Sequence, residues 1–185
     1  MECVGGISKG KQTASFLMLD IIEKKCAFKA QDLYYSYKYL SGILMMSGFI
    51  PDDFPHIRHE KVRYSDTDRQ GHVNNAVFST FLECARTDIL YDKSRGLIIS
   101  GRELVIVQIE IEFLAEVAWP GTVEIGSRVK KIGHSSIVFE QAIFQAGKCA
   151  SVSTNVMVMI DAVTRKSIAL PEDVMEGLAD VIKEP

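Results

Sequence analysis

Most of the chemistry open to this sequence is concentrated in twelve consecutive residues. The run Tyr64-Ser65-Asp66-Thr67-Asp68-Arg69-Gln70-Gly71-His72-Val73-Asn74-Asn75 puts two carboxylates, a glycine, a histidine and two asparagines directly ahead of an apolar stretch. A helix start carries unpaired N–H groups and a partial positive charge, so it stabilises an anion placed against it. That anion can be a carboxylate, a phosphate or the oxyanion of a tetrahedral intermediate. Gly71 permits close backbone approach or a positive φ. An acid held beside a carbonyl whose oxygen points at the helix start is a geometry for acyl transfer. A plainer reading stands beside it: Asp and Asn before a helix are ordinarily caps, and a lone loop His is more often structural. The density of polar groups at one strand-to-helix junction is what favours chemistry.

The elements that must position this run can be read from periodicity. His59 to Tyr64 is a short strand candidate leading into the loop. Asn74 or Asn75 caps a helix expected to reach about Ser94, with Gly96 ending it. Its apolar residues Val77, Phe78, Phe81, Leu82, Ala85, Ile89 and Leu90 recur at helical steps. The period then changes to two. Strands are expected over Glu103–Val117, Thr122–Ile132, Ser136–Gln145 and Cys149–Asp161, separated by turns at Trp119-Pro120-Gly121, Gly133-His134-Ser135 and Ala146-Gly147-Lys148. Pro171 opens a terminal helix to about Ile182. Strands this long form a sheet that must curl, and its apolar face needs a partner. The long helix after Asn74 is the natural one, which gives an α+β architecture.

The first 55 residues differ: they contain no Arg, and the segments Phe16–Phe28 and Leu33–Met46 have weak helical character. Pro51-Asp52-Asp53-Phe54-Pro55 punctuates the chain. We therefore divide it into residues 1–55, an extension, and residues 56–185, the principal domain. The extension is either a helical segment packed on that domain or sequence ahead of a natural start near Met45 or Met46. A net charge of −3 and a pI near 5.8 speak against nucleic-acid binding. The apolar run Leu40–Ile50 is too short for a membrane span, and no secretory signal is evident. Cys3, Cys26, Cys84 and Cys149 form no C-x-x-C pair, which fits free thiols in a reducing compartment, the cytoplasm. No metal or redox cofactor is expected.

The run Asp66-Thr67-Asp68-Arg69-Gln70-Gly71-His72-Val73-Asn74-Asn75, followed on the helix by Phe81-Leu82-Glu83-Cys84-Ala85-Arg86-Thr87, resembles the 4-hydroxybenzoyl-CoA thioesterase-like branch of the hotdog-fold acyl-CoA thioesterases. The resemblance spans roughly residues 56–163. It implies a hotdog fold, a curled antiparallel sheet wrapped around one long helix. It also implies hydrolysis of a thioester of coenzyme A or of acyl carrier protein. By the same resemblance Asp68 is the catalytic carboxylate, as nucleophile or as base for water, and the Asn75 backbone N–H is the oxyanion donor. Asp66 is a minor catalytic candidate that otherwise braces the loop. Gly71, His72 and Asn74 are candidates for substrate contact, and Arg128, Lys130, Lys131 and Lys148 either meet the CoA phosphates or are solvated strand charge. Glu83 is a further minor candidate, because a helix carboxylate serves in another hotdog branch; Glu83 and Arg86, three apart on the helix, are expected to form an ion pair or to bond at a subunit interface. Family members assemble as homodimers or homotetramers with shared sites. Two rival readings keep the fold: an acyl-CoA-binding module without turnover, and a hydratase, for which the matching Asp/His pattern is missing.

Overall fold

The apolar spacing after Asn74 forms one helix, α1, over Asn75–Leu90. It buries the expected Phe78, Phe81, Leu82, Ala85, Ile89 and Leu90, with Arg86 added to the same face. The structure, a computed structural model, describes residues 48–182. The helices expected within residues 16–28 and 33–46 lie outside them. α1 stops short of Ser94 because Asp92 leaves the helix to cap a separate 3-10 turn. Its Oδ1 accepts the Ser94 N–H at 2.9 Å and the Ser94 hydroxyl at 2.6 Å. Short polar side chains favour such caps over helix interiors.

Five strands follow the period-two pattern: β1 His56–Val62, β2 Arg102–Phe113, β3 Gly121–Ile132, β4 Ser136–Gln145 and β5 Lys148–Asp161. They form one antiparallel sheet in the order β1-β3-β4-β5-β2, so β1 and β2 are its edges. β1 ends before Tyr64 because Asp66 Oδ2 accepts the Arg63 N–H at 2.7 Å and closes a 3-10 turn over Tyr64–Asp66. β2 ends at Phe113 rather than Val117. There the Leu114 and Ala115 N–H groups both turn to the Ala150 carbonyl, at 2.8 and 3.0 Å. The terminal helix breaks into α2, Glu172–Gly177, and a 3-10 turn over Ala179–Val181. Arg95 grips that break, donating to the Gly177 carbonyl at 3.0 Å and to Asp180.

One face of the sheet packs on α1. Val123, Ile125 and Ile143 meet Phe78, Phe81 and Leu82, while Val129, Phe139 and Met157 meet Ile89 and Leu90. Residues on facing strands share a side of the pleat, so this apolar layer is continuous across β3, β4 and β5. The architecture is the hotdog arrangement that the element order and the family resemblance implied.

The other face has its own cover. Phe54 is 4% exposed and packs on Ala142, Phe144 and Val152, with Phe49 beside it at a ring distance of 5.5 Å. Phe49 and Phe54, which the sequence reading counts with the extension, thus pack on the sheet. Gly126 makes room for this cover: a Cβ there would lie 2.5 Å from the Phe54 ring. Gly126→Ala is expected to lower unfolding stability by about 1–3 kcal/mol, an overpacking cost, measured by denaturant titration.

Candidate active site

The junction between β1 and α1 is a loop closed at both ends. The Asp66 carbonyl accepts the Asn74 N–H at 2.9 Å, while its carboxylate holds the Arg63 N–H. Asp66 thus uses both groups to tie the loop. Within it the Asp68 N–H donates to the His72 carbonyl at 2.8 Å, and the Gly71 N–H to the Asp68 carbonyl at 3.1 Å. Gly71 has φ +84°, the left-handed conformation that favours glycine. Asn74 Oδ1 accepts the Ala76 N–H at 3.0 Å, so its side chain is the helix cap. The loop is sewn to the segment after β2 by the Val73 N–H on the Val117 carbonyl, at 2.8 Å.

These bonds leave specific groups free. Asp68 is exposed, and its Oδ1 accepts the Gln70 N–H at 2.7 Å and, more weakly, the His72 N–H at 3.4 Å. Its Oδ2 has no hydrogen-bond partner among the described residues. Asn75 is the first residue of α1, and its N–H likewise has no acceptor among them. Both residues line a cavity of about 290 Å³ whose apolar wall includes Phe78 and Phe113. Those two rings pack edge to face at 5.0 Å. His72 also lines the cavity, and its Nε2 lies 3.2 Å from Glu116 Oε2. An anchored carboxylate with one open oxygen, an unpartnered helix-start N–H and an apolar wall thus share one concavity.

Several expectations change here. Arg128 and Lys130 are not positioned for CoA phosphates at this junction. Arg128 lies seven residues along β3 from Gly121, roughly 23 Å at an extended rise. Its guanidinium is buried, bonded through Nε to Glu140 at 2.7 Å and through another nitrogen to the Asp53 carbonyl at 3.0 Å. It also lies about 5 Å from the Phe49 and Phe54 ring centres. Lys130 Nζ takes the remaining Glu140 oxygen at 2.7 Å. Burial pushes the Glu140 carboxyl up, but the Lys130 and Arg128 hydrogen bonds outweigh it and hold it below the usual range. Phe78 and Phe113 line the cavity, whereas Phe81, Leu82 and Phe139 lie in the core.

The Glu83–Arg86 pair does not form. Arg86 turns inward, 4% exposed, and donates to Gln141 Oε1 at 2.8 Å. Gln141 in turn donates to the Leu82 carbonyl at 3.0 Å and to Ser127 Oγ at 2.8 Å, and accepts from Asn155 at 3.0 Å. Burial lowers the Arg86 pKa from its ordinary value, and Glu83 opposes that. The sequence held a signal for this network: Gln141 sits at an inward position of the alternation Ile137, Phe139, Gln141, Ile143. A larger cavity, about 410 Å³, lies beside Glu83 and Arg86. It contains no carboxylate set against a helix start, so the smaller cavity is the better candidate. Cys149 is no nucleophile, because burial pushes its thiol up to about 11. No group of three His, Cys, Asp or Glu side chains is placed to hold a metal among the described residues. Nor is any helix among them long and apolar enough to cross a membrane.

Fold and site together define the class, and comparison with known proteins agrees. Residues 62–178 match the model of the thioesterase-like superfamily, and the chain belongs to that family. It is 28% identical over 119 residues to the acyl-CoA thioester hydrolase YbgC of Escherichia coli O6:H1, covering 62% of this chain and 89% of that one. It is 29% identical over 127 residues to the long-chain acyl-CoA thioesterase FadM of Escherichia coli K12, covering 66% and 96%. Among solved structures, a Thermus thermophilus thioesterase complexed with coenzyme A and Zn superposes with a TM-score of 0.64 at 28% identity, over 72% of this chain and 98% of that one.

Proposed function

We propose that this protein hydrolyses acyl-CoA thioesters in the cavity at the head of α1. The observation that carries the reading is the shared placement of the open Asp68 oxygen and the Asn75 N–H around one concavity. The thioester carbonyl lies between them, its oxygen toward the Asn75 N–H and its carbon toward Asp68. As charge develops on that oxygen, the helix-start donor stabilises it without reorganising. Asp68 either takes a proton from the attacking water or attacks the carbonyl carbon itself, expelling the thiolate and leaving an anhydride that water opens. Both routes consume one water and yield free acid and thiol. The acyl group runs along Phe78 and Phe113. His72, held by Glu116, orders the loop beside the thiol.

The assay is release of free thiol from a panel of acyl-CoA esters of graded chain length, followed with a thiol-reactive dye. Turnover of at least one ester well above the buffer rate is expected. A folded protein inert on the whole panel would leave only the binding-module reading.

The working unit is a dimer or larger in this reading. β2 is an edge strand with an open row of backbone groups, and Ile106, Val107, Ile109 and Phe113 on it are each at least 40% exposed. Long apolar edges are normally paired or covered. Pairing through β2 would set Phe113, and with it the cavity, at the subunit boundary. Sedimentation of the active protein should show a dimer or tetramer, and an active monomer would contradict the shared site. The half-buried free thiols of Cys84 and Cys149 suit a reducing compartment such as the cytoplasm.

A further inference from the structure

Beside the Asp68 cavity lies a second cavity of about 380 Å³, and Ala115 and Glu116 line both. The two cavities are therefore neighbours along the segment after β2. The second is walled by Ala118, Pro120 and Lys148. Between Ala118 and Pro120 stands Trp119, 45% exposed, with Tyr64, 74% exposed, edge to face against it at a ring distance of 5.3 Å. Two large aromatics left open to water on one rim are unusual for a surface that serves only solubility. Four cations lie in the cavity wall or in the segments next to Tyr64. Lys148 is in the cavity wall, Lys61 lies opposite Thr122 one residue before the end of β1, and Arg63 and Arg69 belong to the segment between β1 and α1. None of these four forms an ion pair among the described residues, whereas Arg58, Arg95, Arg128 and Arg165 all do. Two carboxylates in these segments have other partners: Asp66 holds the Arg63 N–H, and Glu116 lies against His72.

We propose that the exposed face of Trp119, steadied by Tyr64, is the stacking platform for the adenine ring of coenzyme A, with Lys148, Arg63 and Lys61 taking its phosphates. The inference rests on the thioesterase reading and deepens it, because it selects coenzyme A over a carrier protein as the thiol. Purine rings stack on indole faces without needing a preformed hydrogen-bond pattern, and phosphates seek unpaired cations. The pantetheine arm fills the second cavity and delivers the sulfur to the Asp68 groove. A carrier protein would present the arm without the adenine and leave the aromatic pair unused.

Trp119 is the only tryptophan of the chain, so its fluorescence reports the platform directly. Titration of the full-length protein with free coenzyme A should quench that emission saturably, while pantetheine at equal concentration should leave it unchanged. In kinetics, the ratio of kcat/KM for an acyl-CoA to that for the same acyl group on pantetheine should fall about tenfold in Trp119→Ala, in line with the loss of base stacking, and recover in Trp119→Phe. No quenching by coenzyme A, equal quenching by pantetheine, or an unaltered ratio in Trp119→Ala would overturn the platform. Quenching by ADP at lower concentrations than coenzyme A would assign the surface to a free nucleotide and also overturn it. Thiol release without quenching sinks the platform alone; quenching without thiol release sinks hydrolysis and keeps the platform.

Discussion

Asp68→Asn is expected to lower kcat by at least ~10²-fold, the scale of a general acid–base contribution, with the fold intact. The reason lies in how the carboxylate is held. Oδ1 accepts the Gln70 and His72 N–H groups, and an asparagine carbonyl can accept the same two bonds. The turn through Gly71 therefore survives the change. What disappears is the charge on the open oxygen, which both routes to hydrolysis require. Asp66→Asn is the informative comparison. Asp66 also accepts a backbone N–H, at 2.7 Å, and its carbonyl pins Asn74. Its neutral analogue keeps these bonds, so activity should fall far less. Initial rates of thiol release by both variants, with circular dichroism as the folding control, give the answer. A larger loss at Asp66 than at Asp68 would exchange their roles.

The largest effect on stability is expected at Glu140, on the other face of the sheet. Arg128 and Glu140 face each other directly across β3 and β4, and their side chains are 7% and 8% exposed. Buried pairs of this kind contribute little against an apolar alternative, because desolvation offsets the attraction. Breaking one is different. Glu140→Ala leaves the Arg128 guanidinium charged, dry and without its carboxylate, and frees Lys130 as well. The expected loss is ~3–5 kcal/mol, a large share of the 5–15 kcal/mol that holds a typical domain. The rings of Phe49 and Phe54, which lie against that guanidinium, should loosen with it. Denaturant titration of the variant measures the loss. A change below ~1 kcal/mol would mean that the pair is solvated and that its burial carries no penalty.

These two sites mark what was and was not legible in the sequence. The helix was legible because Phe78, Phe81, Leu82, Ala85 and Ile89 repeat at its period, and the strands because their apolar positions alternate. The junction was legible because its polar residues cluster at consecutive positions. Long-range pairing was not. Arg128 and Lys130 look like solvated strand charge or phosphate ligands until register sets Glu140 opposite them. Pro51 to Pro55 looks like a linker until Phe54 is seen against Gly126 and Phe144. Glu116 offers no hint of His72, because the contact depends on the loop folding back onto the segment after β2. Local pattern encodes elements, whereas partners across the sheet appear only once the strands are in register.

The most direct test of the account is a crystal structure of the protein with a non-hydrolysable acyl-CoA analogue, its thioester replaced by a ketone. The account predicts the ketone oxygen about 2.7–3.1 Å from the Asn75 nitrogen, and the Asp68 carboxylate about 3–3.5 Å from the carbonyl carbon or one water away from it. An analogue whose carbonyl binds away from the head of α1, or an Asp68 side chain turned from it, would contradict the assignment.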